Sequence, residues 1–421
     1  MVQCIATFMD ACYIARRNAI TGPALDHFRS CVDKFHNLRD IFIKAGVRDS
    51  ISLPRQHALS HYYYLIHLFG SPNGLCSSIT ESKHIKAVKE PWRWSNRYRA
   101  LIQMLRTLVR MDKMATLQCA FTKMGMLAGT TSSYVAQSKA KDDGGNSESD
   151  EAGLHPDDDE ENEDDDGGPA SGSPSGAMSQ VKLASKCGMY DEISSPCFCI
   201  DLFTEPRYPR NLYQLAEQIR QPKFPLALRR FLFMHNHPDQ QTPAKIKDLP
   251  SFEGEIKVYH SAVAVYYAPS DLCGAGGLYR ERIRSAPSFH GHERRDTVFV
   301  VLDESQVGMK GMEIGRVLLF FSFHYRRQTF SCALINWFIH DEEPDRDTGM
   351  WTVQLERNQR GQPTVEVIDV DAIARGAHLL PVYGSSRLPD DFSHHNALDS
   401  FNSFFVNHFI DHHAHEFIAT S

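Results

Sequence analysis

The residues best suited to chemistry in this 421-residue chain run from Gly70 to Lys113. A Gly/Pro turn, Gly70-Ser-Pro-Asn-Gly74, leads into a helix that begins polar and turns basic. Nine Lys or Arg (83, 86, 89, 93, 97, 99, 106, 110 and 113) stand against three acids (81, 90 and 112). Trp92, Trp94 and Tyr98 are interleaved with them. Cations at helical spacing with aromatic support suit a surface that tracks phosphates, so Lys83, His84, Lys86, Lys89, Arg93, Arg97, Arg99, Arg106 and Arg110 are the candidate nucleic-acid contacts. The same pattern also fits a solvated helix face. Glu81 has two readings as well. Ser78 and Glu81 have the spacing of a capping box, in which the Glu reaches back to the cap amide. Glu81 is otherwise a candidate catalytic carboxylate, although a two-metal site needs several acidic ligands.

Elsewhere the chemistry is sparser. Cys187, Cys197 and Cys199, with His235 and His237 downstream, lack the second close pair of a structural zinc site, and buried thiols are the alternative. His408 and His412 stand four apart in a His-rich ending, where histidines also complement the negative end of a helix. Gly274-Ala-Gly-Gly277 precedes Arg280-Glu-Arg-Ile-Arg284 and reads as a flexible loop with a basic rim. Tyr266, Tyr325, Trp337 and Trp351 lie on or beside strands; at a barrel mouth such rings can cage a methylated ammonium group, and otherwise they are core. There is no Walker loop, no G-x-S-x-G and no G-x-G-x-x-G after a strand, so nothing specifies a nucleophile or a nucleotide cofactor.

The elements that position these groups fall into two units. Residues 1–135 read as four or five helices: Leu25, Phe28, Cys31, Val32, Phe35 and Leu38 share one face, and Pro54 opens another helix. Residues 138–180 read as a disordered linker, acidic and then rich in Gly, Ser and Pro, with too little apolar surface to offset ordering. Residues 181–421 switch period. A helix is expected over about 208–233, β-branched and aromatic strands over about 256–368, and a final helix over about 397–417. The fold class expected is α+β and multidomain, with a C-terminal small barrel or sandwich.

Composition narrows the function. The net charge of −7 hides an uneven distribution: 14 acids lie between Asp142 and Asp166, and without them 38 acids face 45 bases. The remaining chain is mildly basic, which permits phosphate neutralisation. No apolar run approaches the ~20 residues of a membrane span. Met1 to Ala15 is apolar with Arg16 and Arg17 after it, the reverse of a secretory signal, so the ten cysteines are expected to be reduced thiols in a cytosolic or nuclear protein.

The run LPRQHALSHYYYLIHLFGSPNGLCSSITESKHIKAVKEPWRWSNRYRALIQML (Leu53 to Leu105) resembles the end of the transposase encoded by fungal Plavaka elements, relatives of the CACTA superfamily. The stretches VYHSAVAVYYAPSDLCGAGGLYRERIRSAPSFHGHERRDTVFVVLDE, RVLLFFSFHYRRQTFSCALINWF, DTGMW and AHLLPVYGS resemble the C-terminal module of the same proteins. The resemblance implies an RNase H-like catalytic domain, of which residues 1–135 would be the late helical part. Three carboxylates there hold two divalent ions, Mg²⁺ or Mn²⁺. Glu81 is the candidate for the third carboxylate; the resemblance places the first two in a region ahead of Met1, so no strand cleavage is expected. It further implies DNA as partner, a nuclear location, and chromatin or other transposase subunits as further partners of a barrel reminiscent of bromo-adjacent homology domains. The alternatives are a chromatin or protein interaction module carried by that barrel, and an active metal-dependent transposase using Glu81.

Overall fold

In the computed structural model the described residues are 1–75, 84–124, 167–170, 179–184, 208–238, 240, 243, 245–273, 276–384, 388, 392–393 and 395–419. They form an α+β protein with a helical N-terminal region and a nearly closed C-terminal β-barrel. Packing divides the chain into one unit of Met1–Ser71 with Glu160–Ser421 and a second of Pro72–Asp159. The division differs from a helical unit over 1–135, because the first helix and the turn after it bond to the barrel's part of the chain through Gln3, Asp10, Tyr13, Arg17 and Asn18.

In the first unit, α1 (Val2–Ala15), α2 (Gly22–Leu38), α3 (Ile41–Lys44) and α4 (Pro54–Phe69) come first. Thr21 caps α2 by accepting from the Ala24 amide, and a proline follows in the first turn, where its missing N–H costs nothing. Leu25, Phe28, Cys31, Val32 and Phe35 form its buried stripe and meet Ala11 and Ile14 of α1 and Ile66 of α4. Gly70, at φ +85, ends α4 in a conformation that a side chain would strain.

The second unit holds α5 (Pro72–Leu75), a π-turn at Ile85–Lys89, α6 (Glu90–Trp94) and α7 (Ala100–Lys123).

The barrel of the first unit is made from two sheets. In the smaller, β1 (Gly167–Ala170) and β2 (Ser179–Ala184) flank β4 (Ser261–Tyr267) and β5 (Leu278–Phe289), and β6 (His292–Arg295) continues from β5. In the larger, β3 (Ile256–Tyr259), β7 (Thr297–Val301), β8 (Met312–Tyr325), β9 (Gln328–His340), β10 (Thr352–Leu355), β11 (Val365–Asp369), β12 (Ile373–Ala377), β13 (Leu379–Pro381) and β14 (Ser403–Val406) pair antiparallel. The β8–β9 hairpin is its spine. Arg326 and Arg327 form its turn at φ +47 and +68, the two positive angles that a tight hairpin requires. A register shift between Val317 and Leu319 lets Leu318 and Leu319 both join the core under α8 (Leu212–Gln218) and α9 (Phe224–Asn236), while Val317 and Phe320 face the smaller sheet. Both faces of the hairpin are therefore buried, which explains its unbroken apolar sequence. A third core lies under α10 (Ala397–Ser400), β14 and α11 (His412–Ala419).

Four sequence expectations change. The linker expected over 138–180 includes β1 and the start of β2; Gly167 is there because a Cβ would strike the Arg280 carbonyl oxygen of the paired strand. The rest of that span lies outside the described residues. The helix expected over 208–233 breaks into α8 and α9 at Arg220 (φ +56) and Pro222. The final helix expected over 397–417 is split by β14, whose Phe404 is 1% exposed between β10 and β13. Arg280 to Arg284 form the middle of β5 rather than a loop rim.

Candidate functional site

The basic and aromatic segment lies in the second unit. Pro91 starts α6 with φ preset for the helix, and the loop after it is held by local bonds. Ser95 Oγ donates to the Trp92 carbonyl at 2.8 Å, the Tyr98 amide donates to Asn96 Oδ1 at 3.0 Å, and Gln103 donates back to the Tyr98 carbonyl at 2.5 Å. Arg97 and Arg99 sit at φ +64 and +48 on either side of Tyr98. The result presents rings and cations outward: Trp94 is 62% and Tyr98 70% exposed. His84, Lys86, Lys89, Arg93, Arg97, Arg99, Arg106 and Arg110 are all exposed. The Arg99 guanidinium lies 5.7 Å from the Tyr98 ring centre. Over residues 84–113 eight Lys or Arg face only Glu90 and Asp112. Such a surface can neutralise phosphates and lay an aromatic face against a sugar or base. Lys83 and Glu81 lie outside the described residues, as do Cys187, Cys197 and Cys199.

The four barrel aromatics do not share a site. Tyr266 is 3% exposed and stacks on His413, with ring centres 4.3 Å apart. Trp337 packs on the same core and donates its indole N–H to Glu366 at 2.8 Å. Trp351 belongs to the third core, edge-on to His340. Tyr325 packs under the helices at the far end of β8, beneath the Arg326 guanidinium. The rings are thus divided among three cores and form no cage.

Two polar clusters in the first unit join residues that the sequence did not bring together. In the first, Arg375 of β12 is 3% exposed and makes a paired contact with Asp411, 2.9 Å from Oδ1 and 2.6 Å from Oδ2. On its other side Glu281 of β5 accepts from Tyr266 Oη at 3.3 Å and from the Gly376 amide at 3.1 Å, with Arg375 Nε at 3.8 Å. A quarter of the Glu281 side chain faces a cleft of about 510 Å³ that Arg282, Arg294, Thr297 and Asp411 also line. Burial raises the Glu281 carboxyl, and Arg375 only partly offsets it. For Asp411 burial also pushes upward, but the Arg375 bonds prevail and lower it. Burial, aided by Arg375, drops His413 to about 3, so it is neutral near pH 7. One cation therefore serves two carboxylates, and it anchors the start of α11 to the sheet. The only signal in sequence is a lone Arg in the run Ile373-Ala-Arg-Gly-Ala377.

In the second cluster, Asp10 of α1 meets two histidines from the C-terminal end. His415 Nε2 is 3.4 Å and His408 Nε2 3.7 Å from Asp10 Oδ1, and the three ligand-type atoms lie within 4.8 Å of one another. It is the one His/Cys/Asp/Glu group with metal-ligand spacing among the described residues. His408 and His415 are 4% and 2% exposed. Tyr13 stacks on His415 and donates its hydroxyl to the Phe409 carbonyl. Burial would raise the Asp10 carboxyl, but the two facing imidazoles overcome it and hold it at about 2. The sequence pointed instead to His408 with His412. The strand β14 places His408 before the last helix, so the i,i+4 geometry does not arise.

No protein-family model, curated protein or solved structure matches the chain. Among the described residues no helix is long and apolar enough to cross a membrane.

Proposed function

We propose that this chain is a transposable-element-derived, nuclear DNA-binding protein of the Plavaka type, which holds duplex DNA through residues 84–113 and does not cut it. One observation carries the reading: eight cations of that segment face two acids, with Trp92, Trp94 and Tyr98 exposed among them. The loop that displays them is fixed by its own hydrogen bonds, so little ordering entropy remains to oppose binding. The family's cleavage chemistry needs several carboxylates around two ions. Glu81, the one carboxylate that the resemblance offers for it, lies outside the described residues.

Fluorescence anisotropy with labelled duplex DNA across a salt series tests the proposal on the full chain. A linear fall of log K with log salt is expected. Replacing Arg93, Arg97, Arg106 and Arg110 with Gln should flatten the slope by about 0.9 for each phosphate no longer neutralised. Binding with an unchanged slope in that variant, or no binding at low salt, removes DNA from the function. Cleavage of the DNA in Mg²⁺ would overturn the non-cutting half.

A further inference from the structure

We propose that Asp10, His408 and His415 bind one divalent transition-metal ion, Zn²⁺ being the best fit, and that this ion pins the N-terminal helix α1 to the C-terminal end of the chain.

The spacing is the first argument. Charge-assisted N–H···O contacts to a carboxylate settle at about 2.7–2.9 Å. Here the two imidazole nitrogens stop 3.4 and 3.7 Å from the same Asp10 oxygen. Ligands bonded to zinc at ~2.0–2.1 Å in a tetrahedron lie about 3.3 Å apart. Both edges to Asp10 thus stand near the edge length of a coordination shell and are long for charge-assisted hydrogen bonds, and the third edge, between the two imidazoles, is within 4.8 Å.

Burial is the second. His408 Nδ1 is buried without a hydrogen-bond partner, and its Nε2 points at Asp10 from beyond hydrogen-bond reach. An imidazole left in that condition is costly, and buried polar groups of this kind are paired or coordinate a metal. The donor set is the third. Two neutral imidazoles and one carboxylate suit borderline divalent ions such as Zn²⁺, with one position left for water or an exogenous ligand.

Arg17 shapes the affinity. Its Nη2 lies 3.3 Å from His415 Nδ1 and donates to it, which favours the proton on Nε2, where the metal would bind. Metal binding must therefore move that proton to Nδ1 and turn Arg17 away. Metal-bound histidines elsewhere offer their second N–H to an acceptor. Arg17→Gln would provide a carbonyl oxygen in that place.

The test uses untagged full-length chain, stripped by a chelator and titrated with Zn²⁺ by calorimetry at neutral pH, with Co²⁺ as a spectroscopic probe. One ion per chain is expected, with a Co²⁺ spectrum that lacks thiolate charge transfer. Asp10→Asn and His415→Gln should each weaken binding at least about tenfold, the range seen even for outer-shell groups. A Cys187→Ser, Cys197→Ser, Cys199→Ser chain should bind as the parent does. Unchanged affinity in the Asp10 and His415 variants, or loss in the triple-cysteine chain, overturns the proposal. Those first two variants could also fail by loosening α1, so Arg17→Gln supplies a change of opposite sign. Tighter binding supports the site, and weaker or equal binding counts against it.

Discussion

Arginine plays opposite parts in the two units. In residues 84–113 the guanidinium groups of Arg93, Arg97, Arg106 and Arg110 are exposed, where a charge costs nothing to keep and is free to meet a phosphate. In the barrel, Arg282, Arg284 and Arg375 are 8%, 6% and 3% exposed. There the charge has left water and must be offset by carboxylates and carbonyls, as Asp411 and Glu281 do for Arg375. The number of basic residues in a stretch therefore speaks for a partner only together with their exposure. Removing an exposed Arg should change binding and spare the fold, and removing a buried one should do the reverse.

The largest expected effect breaks the barrel side of that contrast. Arg375→Met leaves Asp411 and Glu281 mostly buried without their cation and should cost about 3–5 kcal/mol in urea unfolding. A loss below about 1 kcal/mol would show that the carboxylates reach water and that Arg375 is not the anchor.

The next effect is in pH. The Glu281 pKa is raised in the folded chain, mainly by burial, so the folded state holds this proton more tightly than the unfolded one. Stability from Glu281 is full below the unfolded value near 4.5 and declines as pH rises through the folded one. The decline is at most about 1.4 kcal/mol per pH unit. Glu281→Gln should remove that part of the slope above pH ~4.5. An identical pH profile would mean that Arg375 keeps Glu281 ionised throughout.

The smallest effect sharpens the other side. Arg106→Gln should leave the unfolding midpoint within about 0.5 kcal/mol while lowering the salt slope of DNA binding by about 0.9. A midpoint shift well beyond that would reveal a structural partner for Arg106.

Much of the fold was legible because apolar periodicity and burial coincide. Phe28 and Phe35 of α2, and the runs that became β8 and β9, read correctly from spacing alone. What failed had local rules that pointed the wrong way. Phe401, Phe404 and Phe405 have helical spacing, yet Phe404 is pinned in β14 by strands far away in sequence. Gly167 reads as linker, yet its missing side chain is what allows β1 to approach β5. Arg280 to Arg284 read as a basic loop rim, yet Arg282 and Arg284 are buried within β5, where Arg282 reaches Ser261 of the neighbouring strand. In the Asp10 cluster, the His-rich ending drew notice through His408, but with His412 as its partner. The cluster's members come from opposite ends of the chain, and no periodicity links them.

That cluster has a consequence for how the chain folds. Asp10 and His415 are 405 positions apart. At about 5–20 residues per second of synthesis, Asp10 emerges roughly 20–80 s before His415 exists. During that interval Tyr13 has no Phe409 to receive its hydroxyl and no His415 to stack on. α1 can settle early against α2 and α4, but its polar face waits: the first unit is completed only when α11 has been made.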